Sequence, residues 1–261
     1  MQSNDKEILQ KLKRMRDDWG VIAVKAEFEA EGTRSDELLR LSELVFKSDL
    51  KLALKIGGCE AIRDLICTKD FGADFVIAPM IETPYALSKF IQSIHRIYTD
   101  KHNERPKFLF NLETLTGYEN KDVIFDLAKD NKIDGCVFGR VDFARSIQAD
   151  RLQTNDKQIT EFVKEVAILS KKNGLDFVIG GGISIEAIPI LLEVASLHLS
   201  RFETRKLIFE KSVLDHPKFD QGLRFAVDFE LSWLQHKKKH YEHIMHEDDK
   251  RIEMLAARLN M

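Results

Sequence analysis

The side chains best placed to do chemistry together are two carboxylates that each close a short apolar run: Glu113 in KFLFNLET (107–114) and Asp142 in DGCVFGRVD (134–142). Residues two apart share a face of a strand. Glu113 then sides with Leu109 and Asn111, opposite Phe108, Phe110 and Leu112, while Asp142 sides with Cys136, Phe138 and Arg140. In VIAVKAEFE (21–29), Ile22, Val24, Ala26 and Phe28 form an apolar set and Lys25, Glu27 and Glu29 a charged one. In LKLALKIGG (50–58), Lys51 and Lys55 flank Ala53, opposite Leu52, Leu54 and Ile56. Four runs thus deliver ionisable groups to one side. Two carboxylates about 4 Å apart repel by roughly 4 kcal/mol at a protein-like dielectric, and burial adds several kcal/mol per ion. A divalent cation relieves both, and two carboxylates completed by water or substrate oxygens are the usual protein share of a magnesium site. Pairing of either acid with Arg140, Lys55 or Lys25 in a structural salt bridge is the other arrangement open to these residues.

Positioning such groups requires a scaffold, and the chain supplies seven apolar runs, at 21–29, 50–58, 74–82, 107–114, 134–142, 175–183 and 196–204. Segments such as SDELLRLSELVFKS and NDKQITEFVKEVAILSKKNG separate them, with apolar residues at three- and four-residue steps, as amphipathic crossover helices need. Ser35 or Asp36 is placed to cap the first and Gly174 to close the second. Repeated strand-helix units in 261 residues favour an α/β fold, a (β/α)8 TIM-type barrel, over an open doubly wound sheet. Residues 4–18 read as one amphipathic helix, so the first strand-helix unit is expected to be irregular or missing. A helical extension is expected over about 220–261, and 1–261 reads as one domain.

Composition narrows the function. At 44% hydrophobic and 32% charged residues the chain can bury a large core, and a net charge of −3 removes the electrostatic attraction that nucleic-acid binders use. No run is long and apolar enough for a membrane span, and the N-terminus lacks the apolar core of a secretory signal, so a cytoplasmic protein without nucleic-acid or membrane partners is expected. Cys59, Cys67 and Cys136 have no metal-binding spacing and read as free thiols.

The stretch PKFLFNLETLTGYEN, followed by IDGCVFGRVDFARSI, resembles the metal-ligand region of the HpcH/HpaI aldolase and citrate lyase family, a branch of the phosphoenolpyruvate/pyruvate barrels. LKIGGCEAIRDLICTKDFGADFVIAPMIET resembles that family's substrate-anchoring strand, its helix and the next strand. The resemblance covers about residues 50–150 well. It implies that Glu113 and Asp142 bind Mg²⁺ or Mn²⁺, that the ion chelates a pyruvate-like 2-oxo acid or a related acyl-thioester, and that Gly57 and Gly58 lie at the substrate. It implies a metal-dependent carbon-carbon lyase and a homo-oligomer joined through a terminal helix. Ile244, Met254, Leu255 and Leu259 are the apolar residues available there.

The departures concern the other catalytic groups. Lys55 stands where the family places an arginine, offering a point charge instead of a bidentate fork. A Schiff-base role for Lys55 would need its pKa lowered by burial near Lys51. No histidine lies in AEFEAEGTR, so Glu27 or Glu29 would serve as base. Arg140 replaces the proline after the glycine of the Asp142 motif and is expected either to hold a substrate phosphate or carboxylate or to pair with Glu113 or Glu27. With Gly180, Gly181 and Gly182, which precede a helix and could cradle a phosphate, it suggests a phosphoenolpyruvate- or sugar-phosphate-using enzyme as the alternative. The departures also leave a non-catalytic ligand-binding homologue open. Glu82 in PMIET looks like a second copy of the Glu113 motif but reads as a rim residue, His198 as a core histidine, Glu203 and Arg205 as a structural pair, and His236, His240 and His243 as one solvated helical face.

Overall fold

The computed structural model describes residues 3–99 and 105–259. Eight strands close into one barrel in sequence order. They are β1 (Val21–Glu27), β2 (Lys51–Lys55), β3 (Phe75–Ala78), β4 (Lys107–Leu112), β5 (Gly135–Gly139), β6 (Asp176–Gly180), β7 (Arg201–Glu203) and β8 (Leu207–Glu210). The helices are α1 (Ser3–Trp19), α2 (Ser35–Lys47), α3 (Ile62–Asp70), α4 (Pro84–Ile97), α5 (Leu115–Glu119), α6 (Lys121–Asp130), α7 (Arg140–Ser146), α8 (Lys157–Asn173), α9 (Ile188–Leu197) and α10 (Phe219–Leu259).

Local chemistry sets the boundaries. Thr83 caps α4, its hydroxyl accepting from the Ala86 amide at 3.1 Å, and Pro84 opens the helix, where its missing N–H is no loss. Leu87, Phe90, Ile91 and Ile94 then face the sheet, each burial worth about 2 kcal/mol. Gly174 closes α8 in the left-handed conformation, as its sequence position suggests. Seven strands run parallel, but β8 pairs antiparallel with both β7 and β1. The irregular unit is therefore the last one, not the first. β7 turns into β8 at Thr204–Leu207, where the Thr204 hydroxyl accepts from the Leu207 amide, and no crossover helix intervenes.

Ala23, Ala53, Phe75, Ile77, Leu109, Val137, Val178 and Ile208 plug the barrel axis. The outward faces join the helices in the main core. The expected alternation holds on β2 and β4. On β1 it slips by a bulge between Val21 and Ala23. On β5 it is reversed: Cys136 and Phe138 pack outward and Val137 inward. The C-terminal extension is one helix of 41 residues, about 60 Å long. Its first half packs on the barrel and α1 through Phe219, Leu223, Ala226, Phe229 and Trp233, whereas residues 242–259 are exposed throughout. Among the described residues no helix is long and apolar enough to cross a membrane.

Candidate active site

Above the apolar plug, the C-terminal strand ends open into a cavity of about 430 Å³. Six carboxylates (Glu27, Glu29, Glu113, Asp142, Glu203 and Glu230) and four cationic side chains (Lys25, Lys55, Arg145 and Arg205) line it, a surplus of negative charge that a divalent cation would cancel. Strand alternation sends Lys25 and Glu27 of β1, Lys55 of β2, Asn111 of β4 and Glu203 of β7 inward.

Lys25 sits between two acids, 2.5 Å from Glu203 Oε1 and 3.1 Å from Glu27 Oε1. Burial opposes its charge, but Glu203 and Glu27 outweigh burial and raise its pKa. Burial likewise opposes the charge on Glu27, and Lys25 and Lys55 outweigh it, so Glu27 stays ionised. Glu203 thus pairs with Lys25 and not with Arg205, which reaches instead toward Glu31 and Glu230 at 4.0 and 3.9 Å.

Glu113 is the most deeply set acid of the mouth, 2% exposed. The Met80 amide donates to its Oε1 at 3.0 Å, Asn111 Nδ2 donates to its Oε2 at 2.7 Å, and Lys55 Nζ stands 3.5 Å from the same oxygen. Met80 has a φ of +50°, an uncommon backbone state for a residue with a side chain, and it aims the amide at the carboxylate. Burial pushes the Glu113 pKa up against Lys55, Asn111 and Met80, and the charge of Asp142 pushes it the same way. Lys55 also contacts Glu29 Oε2 at 2.9 Å. Burial opposes its charge, yet Glu113 and Glu29 raise its pKa, which is the reverse of what a Schiff-base lysine needs. Lys51 does not help: it lies exposed at the other end of β2, over the Phe75 ring.

Asp142 reaches the same cavity by a different route from the one expected. β5 ends at Gly139 and the next residue opens α7, so Asp142 lies in the first turn of a helix, where its charge suits the exposed amides. Its side chain is 44% exposed and loosely paired with Arg145 at 3.7 Å. Gly139 makes the approach possible, because a Cβ there would lie 2.7 Å from Glu113 Oε2.

Arg140 lies elsewhere than strand alternation predicts. It neither faces the mouth nor pairs with Glu113 or Glu27. The turn into α7 swings it behind the cavity, fully buried, where Nε and Nη2 donate to the Gly181 carbonyl at 3.1 and 2.8 Å. Nη2 also donates to the Gly182 carbonyl at 3.0 Å, and Nη1 to Asn155 Oδ1 at 2.9 Å. Burial lowers its pKa to about 10, still charged at neutral pH. It is a clamp on the glycine loop, so the Arg140 half of the expected phosphate cradle is absent. Arg140→Met is expected to lower stability by about 3 kcal/mol, from several lost charge-assisted hydrogen bonds, measured by urea denaturation.

Gly180, Gly181 and Gly182 line the cavity. Gly181 has φ +78°, and a Cβ there would meet the Val141 amide at 2.7 Å, so the loop packs tightly on the start of α7. Gly57 and Gly58 lie outside the lining, the Gly57 amide donating to Asp64. Glu82 is also outside it, as is His198, whose ring contacts the Leu175 carbonyl. His236 is buried on Trp233 and beside Asp5, so the three helical histidines are not one solvated face. Met80 and Gly139 lie outside the expected site, whereas Asn111 and Lys25 are expected on the inward face without a catalytic role. The alternation that places Glu113 and Glu27 inward carries a signal for Asn111 and Lys25, whereas Met80 acts through its backbone.

The model of the HpcH/HpaI aldolase/citrate lyase family matches residues 42–181, more than half the chain and the part that holds Lys55, Glu113 and Asp142. The chain belongs to this family. No curated protein sequence matches it. Among solved structures it is similar to an HpcH/HpaI aldolase from Desulfitobacterium hafniense (13% identity, 78% of this chain and 83% of that one, TM-score 0.61). It is also similar to an HpcH/HpaI aldolase/citrate lyase family protein from Burkholderia cenocepacia (13%, 91% and 99%, 0.60) and to RipC from Yersinia pestis (16%, 77% and 86%, 0.52). At these identities the structural likeness is one of fold.

The family is generally metal-dependent, and the donor set here suits a hard divalent ion. Among the described residues no group of three or more His, Cys, Asp and Glu side chains could hold a metal. Magnesium takes one or two carboxylates and fills its shell with water and substrate oxygens. Glu113 and Asp142 offer that number. In the same cavity Asn111 Oδ1 and Glu203 Oε2 are buried with no hydrogen-bond partner among the described residues, acceptors suited to ion-bound water or a substrate hydroxyl. Asn111 is oriented by its amide nitrogen, which must face the Glu113 carboxylate.

Proposed function

We propose that this HpcH/HpaI family member is a divalent-metal-dependent carbon-carbon lyase acting on a pyruvate-like 2-oxo acid unit. The observation that carries the reading is the convergence of Glu113 and Asp142 on one polar cavity above an apolar plug, both within the segment matched to the family. Glu113 and Asp142 would hold Mg²⁺ or Mn²⁺, which when bound supplies Lewis-acid polarisation of the substrate carbonyl. Asn111 and the Met80 amide keep the Glu113 carboxylate fixed. Lys55, ionised, places a positive charge beside Glu113 where negative charge develops on the substrate oxygen. Glu29, paired with Lys55 and less deeply buried than Glu27, is the better placed proton acceptor at the mouth, while Glu27 and Glu203 balance Lys25.

The direct assay follows release of pyruvate or a related oxo acid from hydroxy-oxo acids and from oxaloacetate, with Mg²⁺ or Mn²⁺ and with EDTA. Turnover with metal and its loss with EDTA are expected. Turnover unchanged by EDTA would overturn the reading.

A further inference from the structure

The mouth holds two clusters in which one lysine lies between two acids, and they differ in what can cancel their charge. In the first, Lys55 Nζ stands 2.9 Å from Glu29 and 3.5 Å from Glu113. In the second, Lys25 Nζ stands 2.5 Å from Glu203 and 3.1 Å from Glu27, and all three residues are buried. Both clusters line the cavity. Glu113 follows β4 and Glu203 lies on β7, three strands apart in a closed ring of eight, so the two face each other across the mouth. On the first side, Glu29, Glu113 and Asp142 set against Lys55 and Arg145 leave one negative charge. A divalent ion turns it into one positive charge, which the carboxylate of a 2-oxo acid cancels. On the second side, Glu27 and Glu203 more than balance Lys25, and nothing in that reaction meets the charge left over. Arg205 does not settle it: its side chain is half exposed and shared between Glu31 and Glu230 at 4.0 and 3.9 Å. Lys206 is held by Glu31. An uncompensated charge in a buried cluster is costly. Glu203 Oε2 also has no hydrogen-bond partner among the described residues.

Building on the lyase reading, we propose that the substrate itself supplies the missing positive charge: the aldehyde half carries an ammonium group, and Glu203 with Glu27 receives it. The pyruvate half then lies at Glu113 and Asp142 and the ammonium end across the mouth. In cleavage the proton of the substrate hydroxyl passes to the base and the hydroxyl carbon becomes the aldehyde. The electron pair of the broken carbon-carbon bond returns to the pyruvate half as its enolate, and the aminoaldehyde leaves with its ammonium protons unchanged. Addition reverses each step. A neutral hydroxyl at the same place would give Glu203 Oε2 a donor but leave the charge unmet, and a phosphate or a second carboxylate would add to it. A bound monovalent metal ion would bring the same charge from another source, and the experiment below separates the two.

Pyruvate and Mg²⁺ are offered with three small aldehydes that differ in charge: aminoacetaldehyde, glycolaldehyde and glyoxylate. The expected kcat/KM is about tenfold or more higher for aminoacetaldehyde than for glycolaldehyde, the scale of one charge-assisted hydrogen bond, with the difference in KM, and lowest for glyoxylate. Glu203→Gln leaves Lys25 paired with Glu27 alone and is expected to bring the first two aldehydes to within about threefold of each other. Ethanolamine, which cannot react, is expected to raise the Tm of the parent in EDTA, and to raise that of Glu203→Gln less. Equal kcat/KM for the charged and neutral aldehydes, or a preference that Glu203→Gln does not move, would overturn the proposal. So would K⁺ raising glycolaldehyde turnover to the level of aminoacetaldehyde, which would assign the charge to a bound ion. Absence of turnover with every aldehyde, while ethanolamine still stabilises the parent through Glu203, would contradict the lyase reading and leave the ammonium site standing.

Discussion

Glu113→Gln is expected to lower turnover by at least a thousandfold while leaving the protein as stable as the parent or more so. The two effects separate because they have different origins. Glutamine keeps the shape and can accept from Asn111 or the Met80 amide, but it removes the anion that would hold the metal and that faces Lys55. A thousandfold loss corresponds to about 4 kcal/mol of transition-state stabilisation, the scale of a lost metal ligand or electrostatic anchor. The stability side follows from burial, which raises the folded pKa of Glu113 above its ordinary value of 4.5. A carboxyl so shifted contributes stability below the unfolded value that is lost as pH rises through the folded one, so the ionised residue is a burden at neutral pH. The neutral amide removes it. Retained turnover within tenfold of the parent, measured with saturating Mg²⁺, would contradict the role given to Glu113.

Lys25→Met is expected to act the other way, destabilising the fold by about 3–5 kcal/mol because Glu27 and Glu203 are left buried without their shared cation. The folded pKa of Lys25 is raised above the ordinary 10.5 by Glu203 and Glu27, against burial. Its contribution is fully present below about pH 10.5 and is lost as pH rises through the folded value. Urea denaturation at pH 7 and pH 11 is therefore expected to show a large gap between parent and variant that narrows in alkali. An equal gap at both values would show that Lys25 acts by packing alone.

Much of this site is legible in the sequence where a strand is apolar on one face and polar on the other. Lys55, Asn111 and Glu113 fall inward because Leu54 and Phe110 mark the outward side without ambiguity. β5 defeats that logic. Its inward positions are Gly135, Val137 and Gly139, small residues that the narrow axis and the Glu113 carboxylate require, while Cys136 and Phe138 supply the bulk outside. The larger set looked like the inner one. Strand alternation carries on in the sequence through Arg140 and Asp142 although α7 begins at Arg140, so alternation places Arg140 in the mouth while the structure holds it behind the glycine loop. β8 carries no sequence mark because the turn from β7 runs through Arg205 and Lys206, with none of the Gly or Asn that marks a tight hairpin. Lys51 shows the limit of face arithmetic: it shares a side with Lys55, but four residues along a strand separate them by about 13 Å, one at each end of the barrel.

On the proposed reading Glu113 and Asp142 hold one divalent ion at this mouth. Calorimetric titration of Mn²⁺ into the protein with oxalate present counts that ion. One ion per chain is expected, with binding lost in both Glu113→Gln and Asp142→Asn. Absence of binding, or binding that survives both substitutions, would contradict it.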